Sequence, residues 1–379
     1  MKYLRAVFIV AFGLGVFLFS SRGIVYVPEI EAQSSSELPA WIENFILKGD
    51  LRLRNENIWN NPGFDNMRQR LRFRFGGKTE VNNKIKLAFG LATGSSDSPR
   101  STNQTLEQEF QSKDIWLDYA FIDYGPVEWL NMIGGKFKSP FFHTDMLWDG
   151  DIRFDGFAVK AHHEVFPGHT LFLTGGFFPV DNRVSTADID LYAAQVGTKS
   201  KIGANSIHIK TGLALYGFTN IQGITAASLA ESPGTNTITP GGLIANEYLT
   251  INPNVKIYIS DVIGHRGVGV LGEYAHNVEA AALNDGWRGG IWFGQYKVKQ
   301  TRDWKFLVQY TRLEMDVFFD SFPDSDFNFA GTDGKGWEVI FNYGLAENVI
   351  LGLNYYNTEK ISAPRADQEI LQTDLLFKF

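Results

Sequence analysis

The chain has no cysteine among its 379 residues, which removes disulfides, thiol nucleophiles and cysteine metal sites together. It lacks an excess of positive charge. With a net charge of −7, nucleic-acid binding, which rests on neutralising phosphates, finds no support. Beyond residue 40 there is no long apolar run, and a helix crossing a bilayer needs roughly 20 apolar residues, so helical spans are excluded there. What is plentiful is glycine (38), phenylalanine (31) and tyrosine (14), in a chain only 44% hydrophobic with a mean hydropathy of −0.14. That combination suits a wall in which apolar and polar residues alternate.

Period-two alternation is indeed the dominant pattern. Leu47, Gly49, Leu51 and Leu53 alternate with Lys48, Asp50, Arg52 and Arg54, and Leu71, Phe73 and Phe75 alternate with Arg70, Arg72 and Arg74. Such segments read as two-faced strands. They are expected at 46–57, 68–79, 84–94, 113–123, 129–138, 154–162, 169–178, 189–200, 205–218, 246–260, 266–278, 286–299, 302–316, 335–344, 347–359 and 367–379. The last of these places Leu371, Thr373, Leu375, Phe377 and Phe379 on one face, as the closing strand of an outer-membrane barrel would. Short links alternate with longer ones, as periplasmic turns alternate with extracellular loops. The expected fold is all-β: a transmembrane antiparallel up-and-down β-barrel of about 16 strands, with short periplasmic turns and long extracellular loops. Barrels of this size leave an aqueous channel.

At the other end, Met1-Lys-Tyr-Leu-Arg5 is basic and Ala6–Phe19 is apolar, the order of a secretory signal. Residues 1–32 are expected to be that signal, with cleavage after Gly23 or, preferably, Ala32. A periplasmic segment (33–45) and the barrel (46–379) come next. The location is then the bacterial outer membrane of a Gram-negative cell, with membrane lipid as one partner and small hydrophilic solutes as the other. The polar loop Ser95–Ser112 is a candidate latch for a homotrimer.

Strand two turns arginine inward at Arg68, Arg70, Arg72 and Arg74, opposite Lys48, Arg52 and Arg54 on strand one. Like charges directly opposite are destabilising, so water, an anionic solute or carboxylates from across the pore must relieve them. Either this is what a wet wall looks like, or it is a basic ladder that selects solutes, as charged rings do in pores. The third external connection, 139–153, is too apolar for a loop in water. Phe141, Phe142, Met146, Leu147 and Trp148 are expected to anchor it inside the barrel, leaving Asp145, Asp149 and Asp151 in the channel as a constriction. An acidic loop facing an arginine wall makes a transverse field. The alternative is a loop packed on the rim or a neighbouring subunit.

No enzyme signature emerges. His162 and His163 are adjacent and face opposite sides of a strand, no nucleophile motif surrounds any serine, and Gly267-Val-Gly-Val-Leu-Gly272 lies on strand sequence. Asp149 and Asp151 lack the ligand spacing of a calcium loop. Neither metal nor cofactor is expected. Trp41, Trp116, Trp129, Trp292, Trp304, Tyr119, Tyr343, Tyr355 and Phe379 lie mostly near expected strand ends, where aromatic girdles meet headgroups; the alternative for some of them is a place facing the lumen.

The stretches Arg70-Leu-Arg-Phe-Arg-Phe75, Leu91-Ala-Thr-Gly-Ser-Ser-Asp-Ser-Pro-Arg-Ser-Thr-Asn-Gln-Thr-Leu106, Ile115-Trp-Leu-Asp-Tyr-Ala-Phe-Ile-Asp-Tyr124, Gly134-Gly-Lys-Phe-Lys-Ser-Pro-Phe141 and Asp145-Met-Leu-Trp-Asp149 resemble the bacterial "putative porin" family. The resemblance covers the mature chain, with its specific motifs between 46 and 160. It implies an outer-membrane β-barrel and transport by diffusion, and supplies no substrate. The expected function is a porin for passive diffusion of small hydrophilic solutes, anion-favouring through its arginine wall. The other readings are a structural or adhesive barrel with a blocked pore, and an outer-membrane hydrolase.

Overall fold

A computed structural model describes residues 45–95, 98–107, 109–184, 186–203, 206–229 and 232–379. The expected signal, its cleavage site and Trp41 lie outside the described residues. The strands are β1 (Ile46–Asn61), β2 (Asn66–Glu80), β3 (Ile85–Thr93), β4 (Gln104–Thr105), β5 (Ile115–Val127), β6 (Leu130–Lys138), β7 (Arg153–Phe166), β8 (His169–Asp181) and β9 (Ile189–Ile202). They continue with β10 (Ile207–Phe218), β11 (Leu249–Ile263), β12 (Arg266–Asn277), β13 (Asp285–Gly294), β14 (Trp304–Leu313), β15 (Gly334–Ala346), β16 (Val349–Lys360) and β17 (Asp367–Lys378). The two-residue β4 is a patch of loop paired to β2. The other sixteen form the barrel, each antiparallel to its neighbours, and β17 pairs with β1 to close it. Closure gives each of the sixteen a strand neighbour on both sides, the condition for a sheet to cross lipid.

Alternation explains the wall. Leu53, Leu87, Phe89, Leu171, Leu213 and Ile291 point outward and are exposed, forming the apolar face that lipid would cover. Their neighbours in sequence point inward. Phe379 stacks on Phe73 with ring centroids 6.4 Å apart, and its backbone exchanges hydrogen bonds with Gly49 at 2.8 and 3.1 Å.

Three details depart from the alternation read in sequence. In the β3–β5 ladder the register slips beside Gly90, which faces Tyr119 while Leu91 faces Leu117. Asp118 is the extra residue of a bulge, and a bulge reverses the facing of the residues beyond it. Tyr119 therefore lies inside, over Gly76 and Gly90, where any side chain on either glycine would collide with its ring. Trp292 likewise leaves the expected girdle. It stacks flat on Tyr258 inside the barrel at 5.9 Å, and Gly269 on the adjoining strand leaves the space for its indole. Finally, β13 stops at Gly294 rather than near 299. Gly294 adopts φ 105, a value open to glycine, and Asp303 then accepts the Lys299 and Gln300 amides at 3.0 and 2.8 Å to set the turn.

The hydrophobic core sits in the lumen. Phe154, Phe178, Tyr216 and Phe218 point in from the wall and pack on Phe141, Met146, Leu147 and Trp148 of loop 139–152, and on Val317, Phe318 and Phe319 of loop 314–333. Fully burying each such side chain contributes roughly 1.5–3 kcal/mol, enough together to hold two long loops inside a wet barrel.

Candidate functional site

The arginine wall is built by register. Arg52 faces Arg72, and Arg54 faces Arg70, directly across the β1–β2 ladder. The repulsion is relieved by carboxylates set among the guanidinium groups. Asp50, from β1 itself, takes Arg72 and Arg74 at 2.8 Å each. Glu56, fully buried, pairs with Arg68, with Arg70 at 3.4 Å and with Arg54 at 3.7 Å. Barrel closure brings Asp374 opposite Arg54, which donates to both carboxylate oxygens at 2.7 and 2.8 Å, while Arg52 approaches Asp374 at 3.6 Å. Bidentate geometry makes the Arg54–Asp374 pair the strongest type of ion pair.

Loops supply the remaining counter-charges. Asp151 reaches Arg74 at 3.3 Å and accepts from the Thr102 hydroxyl at 2.9 Å. Asp326 reaches Arg54 at 3.3 Å. Six arginines thus meet five carboxylates, Asp50, Glu56, Asp374, Asp151 and Asp326. Of the three forms of relief open to the repelling arginines, carboxylates are the one the structure contains, and the wall is an ion-pair lattice.

Loop 139–152 lies within the barrel. Gln195 brackets Phe142, accepting its amide and donating to its carbonyl, each at 2.7 Å, and Asn254 donates to the same carbonyl at 2.9 Å. Glu273 accepts the Thr144 amide at 2.7 Å. Asp145 pairs with buried Arg288, and Trp148 is sandwiched among aromatic rings, 4.7 Å from Phe154 and 5.0 Å from both Phe318 and Phe322. The three aspartates expected to stand in the channel differ from one another. Asp149 is buried and accepts the amides of Ser325 (2.9 Å) and Asp151 (2.8 Å), clasping loop 314–333. Burial and the neighbouring Asp151 push its carboxyl up to about 6. For Asp151 burial acts upward as well, but Arg72 and Arg74 outweigh it and hold the group at about 2.

Loop 314–333 reads in the sequence as a long external loop, and its folding into the barrel is a finding of the structure. Its Val317-Phe-Phe-Asp-Ser-Phe322 run has the same excess of apolar bulk that marks loop 139–152. Asp324, buried beside Asp326 and Asp149, is raised well above the ordinary carboxylate range. Asp326 is lowered, since Arg54 offsets its burial. Loop 219–248 joins through Asp320, which accepts from Ser232 (2.8 Å) and the Thr235 amide (2.7 Å), and through Asp316, which accepts the Thr237 amide at 2.9 Å. The Arg100 guanidinium donates to the Ala330 carbonyl at 2.6 Å.

Between wall and loops lies a cavity of about 220 Å³. Arg52, Arg54, Arg72 and Arg100 line it with Asp145, Asp149, Asp151, Asp324, Asp326 and Glu338. Arg68, Arg70 and Arg74 extend the wall outside this lining. Trp148 stands behind the cavity, in the core. Charges of both signs thus line one polar space inside a closed barrel. No group of three or more histidine, aspartate or glutamate side chains able to hold a metal occurs among the described residues.

A family model described as putative porin matches residues 59–241 and 256–379. The chain belongs to the putative porin family. Solved structures share this porin's fold. They include the high-pH structure of Pseudomonas putida OprB (TM-score 0.59, 10% identity, 89% of this chain and 95% of that one). The outer membrane channel DcaP of Acinetobacter baumannii is another (TM-score 0.51, 11% identity, 88% and 97%), as is Salmonella typhi OmpF in complex with daunomycin (TM-score 0.50, 11% identity, 88% and 97%). At such identities the likeness is one of fold. The comparison with curated proteins found no match. The porin is thereby an outer-membrane channel protein.

Proposed function

We propose that this porin is a non-enzymatic channel through which small hydrophilic solutes diffuse passively, and that the charged cavity between β1–β2 and the infolded loops is where they are sorted. The observation that carries this reading is that Arg52, Arg54 and Arg72 line one cavity together with Asp145, Asp151 and Asp326. Fixed charges of both signs around one polar space create a strong local field, which orders water and favours dipolar solutes. Because carboxylates match the arginines almost one for one, the wall contributes little net preference for anions. Homotrimeric assembly belongs to the same proposal, supported by the exposed Phe64 and Phe110 beside the long loops, and mass measurement of the detergent-solubilised protein tests it.

The interlocked loops also favour a second reading, a barrel plugged at its long-loop half that serves as a structural or adhesive protein. Liposome swelling separates the two. The porin reading expects neutral sugars to enter vesicles carrying the pure protein, more slowly as the sugar grows; absence of swelling with the smallest sugar would support the plug.

A further inference from the structure

The lumen contains a second basic surface, of opposite character to the arginine wall. Lys210 on β10 stands directly between Lys199 on β9 and Lys256 on β11 in the hydrogen-bonded register. Three amines therefore occupy three adjacent strands at one level. Lys305 on β14 joins them through an aromatic side chain, since the Lys256 and Lys305 amines lie 5.0 and 5.2 Å from the ring centre of Trp292. Lys210 lies 4.1 Å from the ring centre of Phe142, and Lys199 lies 5.5 Å from that of Phe172. The Trp292 indole rests on Tyr258, so the amines stand over a rigid aromatic floor.

The contrast with the wall is in the counter-charges. Each arginine of β1 and β2 has a carboxylate within 4 Å. Among the described residues, lysine ion pairs are made by Lys86, Lys136, Lys335 and Lys360, and none by Lys199, Lys210, Lys256 or Lys305. Adjacent like charges on neighbouring strands repel, and aromatic rings leave the positive charge available to a further partner. The row sits immediately on the short-turn side of loop 139–152. Gln195 and Asn254, which hold Phe142, stand on the same strands as Lys199 and Lys256, four and two residues away in sequence.

We propose that Lys199, Lys210, Lys256 and Lys305 form a binding station for a phosphate or carboxylate group of a small solute, which supplies the missing counter-charge. Lysine is suited to this as a mobile point charge on a flexible stem. Charge selection then resides on β9–β11 and β14, across from the arginines. This deepens the channel reading and rests on it for its purpose, although binding itself can be measured without transport.

The test uses the folded, detergent-solubilised barrel titrated calorimetrically with inorganic phosphate and, separately, with succinate. The expected result is saturable binding of at least one anion, weakened at least tenfold in the triple variant Lys199→Gln, Lys210→Gln, Lys256→Gln and largely restored when the same positions carry arginine. Retained heat-modifiable migration on gels shows that each variant is folded. Should the triple variant misfold, Lys210→Gln alone, at the middle of the row, must still weaken binding severalfold. Absence of binding by the wild type, or equal binding by the glutamine variants, would overturn the station. Binding without ion current in a bilayer would sink the channel reading while leaving the station intact; current without binding would do the reverse.

Discussion

Replacing Glu56 with Gln removes the carboxylate on which the arginine wall depends most. Glu56 is fully buried among Arg54, Arg68 and Arg70 and also accepts from Gln372 at 3.0 Å. Removing one member of a buried ion pair costs about 3–5 kcal/mol. The amide keeps the volume and one acceptor, and Arg54 keeps Asp374 and Asp326, so the lower end, about 3 kcal/mol, is expected. The change also alters conduction. The local balance moves from six arginines against five carboxylates to six against four. A unit charge roughly 7 Å from a passing ion in water is worth about 0.6 kcal/mol, and screening at 0.1 M salt about halves that. Anions and cations feel it with opposite sign, so their permeability ratio shifts roughly twofold to threefold toward anions. The assay is the reversal potential of the variant in a planar bilayer under a KCl gradient, paired with the temperature at which the barrel loses its compact form on gels. An unmoved reversal potential together with unchanged heat stability would refute the reasoning, since Glu56 would then be compensating nothing.

The same geometry predicts other outcomes. Trp148→Ala empties the aromatic sandwich that holds loop 139–152, a loss of about 3–5 kcal/mol; single-channel traces should show larger, noisier conductance, and added protease should cut within the loop. Between pH 7 and 5, Asp149, pushed up to about 6, takes a proton, so the current should drift toward anions with a midpoint near 6, and Asp149→Asn should abolish that drift. The sign for stability is set by the same shift: a carboxyl raised in the folded state favours folding below about 4 and loses that contribution as pH rises through about 6. Asp151, held at about 2, acts oppositely, and its contribution disappears only as pH falls from about 4 toward 2, which acid unfolding of Asp151→Asn against wild type would report. Changing Arg70, Arg72 and Arg74 to Ser leaves Asp50, Asp151 and Glu56 under-compensated, so the reversal potential should move toward cation preference.

The strands were legible because each strip of wall alternates lipid-facing and water-facing residues, a pattern that survives without tertiary information. All sixteen expected barrel strands are present. The Asp118 bulge was not legible, because one inserted residue leaves the apolar run Tyr119-Ala-Phe-Ile intact while reversing its facing. Trp292 was grouped with the girdle aromatics, with a lumen-facing place left open for some of them, and its parity with Arg288 on β13 turns it inward. The arginines were visible as a run, yet their neutralisation was only partly so. Asp50 stood in the same alternating segment, Glu56 lay one step along the same face, and Asp374 and Asp326 become neighbours only when β17 closes on β1 and loop 314–333 folds in. The lysine row was hidden for a similar reason, since residues 199, 210, 256 and 305 meet only through register. Loop 139–152 was readable because apolar bulk in a loop has to be buried somewhere, and the same logic applied to residues 317–322 would have found its partner.

The most direct measurement is the current carried by the pure protein in a planar bilayer. Discrete, stable conductance steps are expected, with an amplitude that grows when Trp148→Ala frees the loop. A bilayer that stays silent with correctly folded protein, and stays silent with that variant, would contradict the channel at the centre of this account.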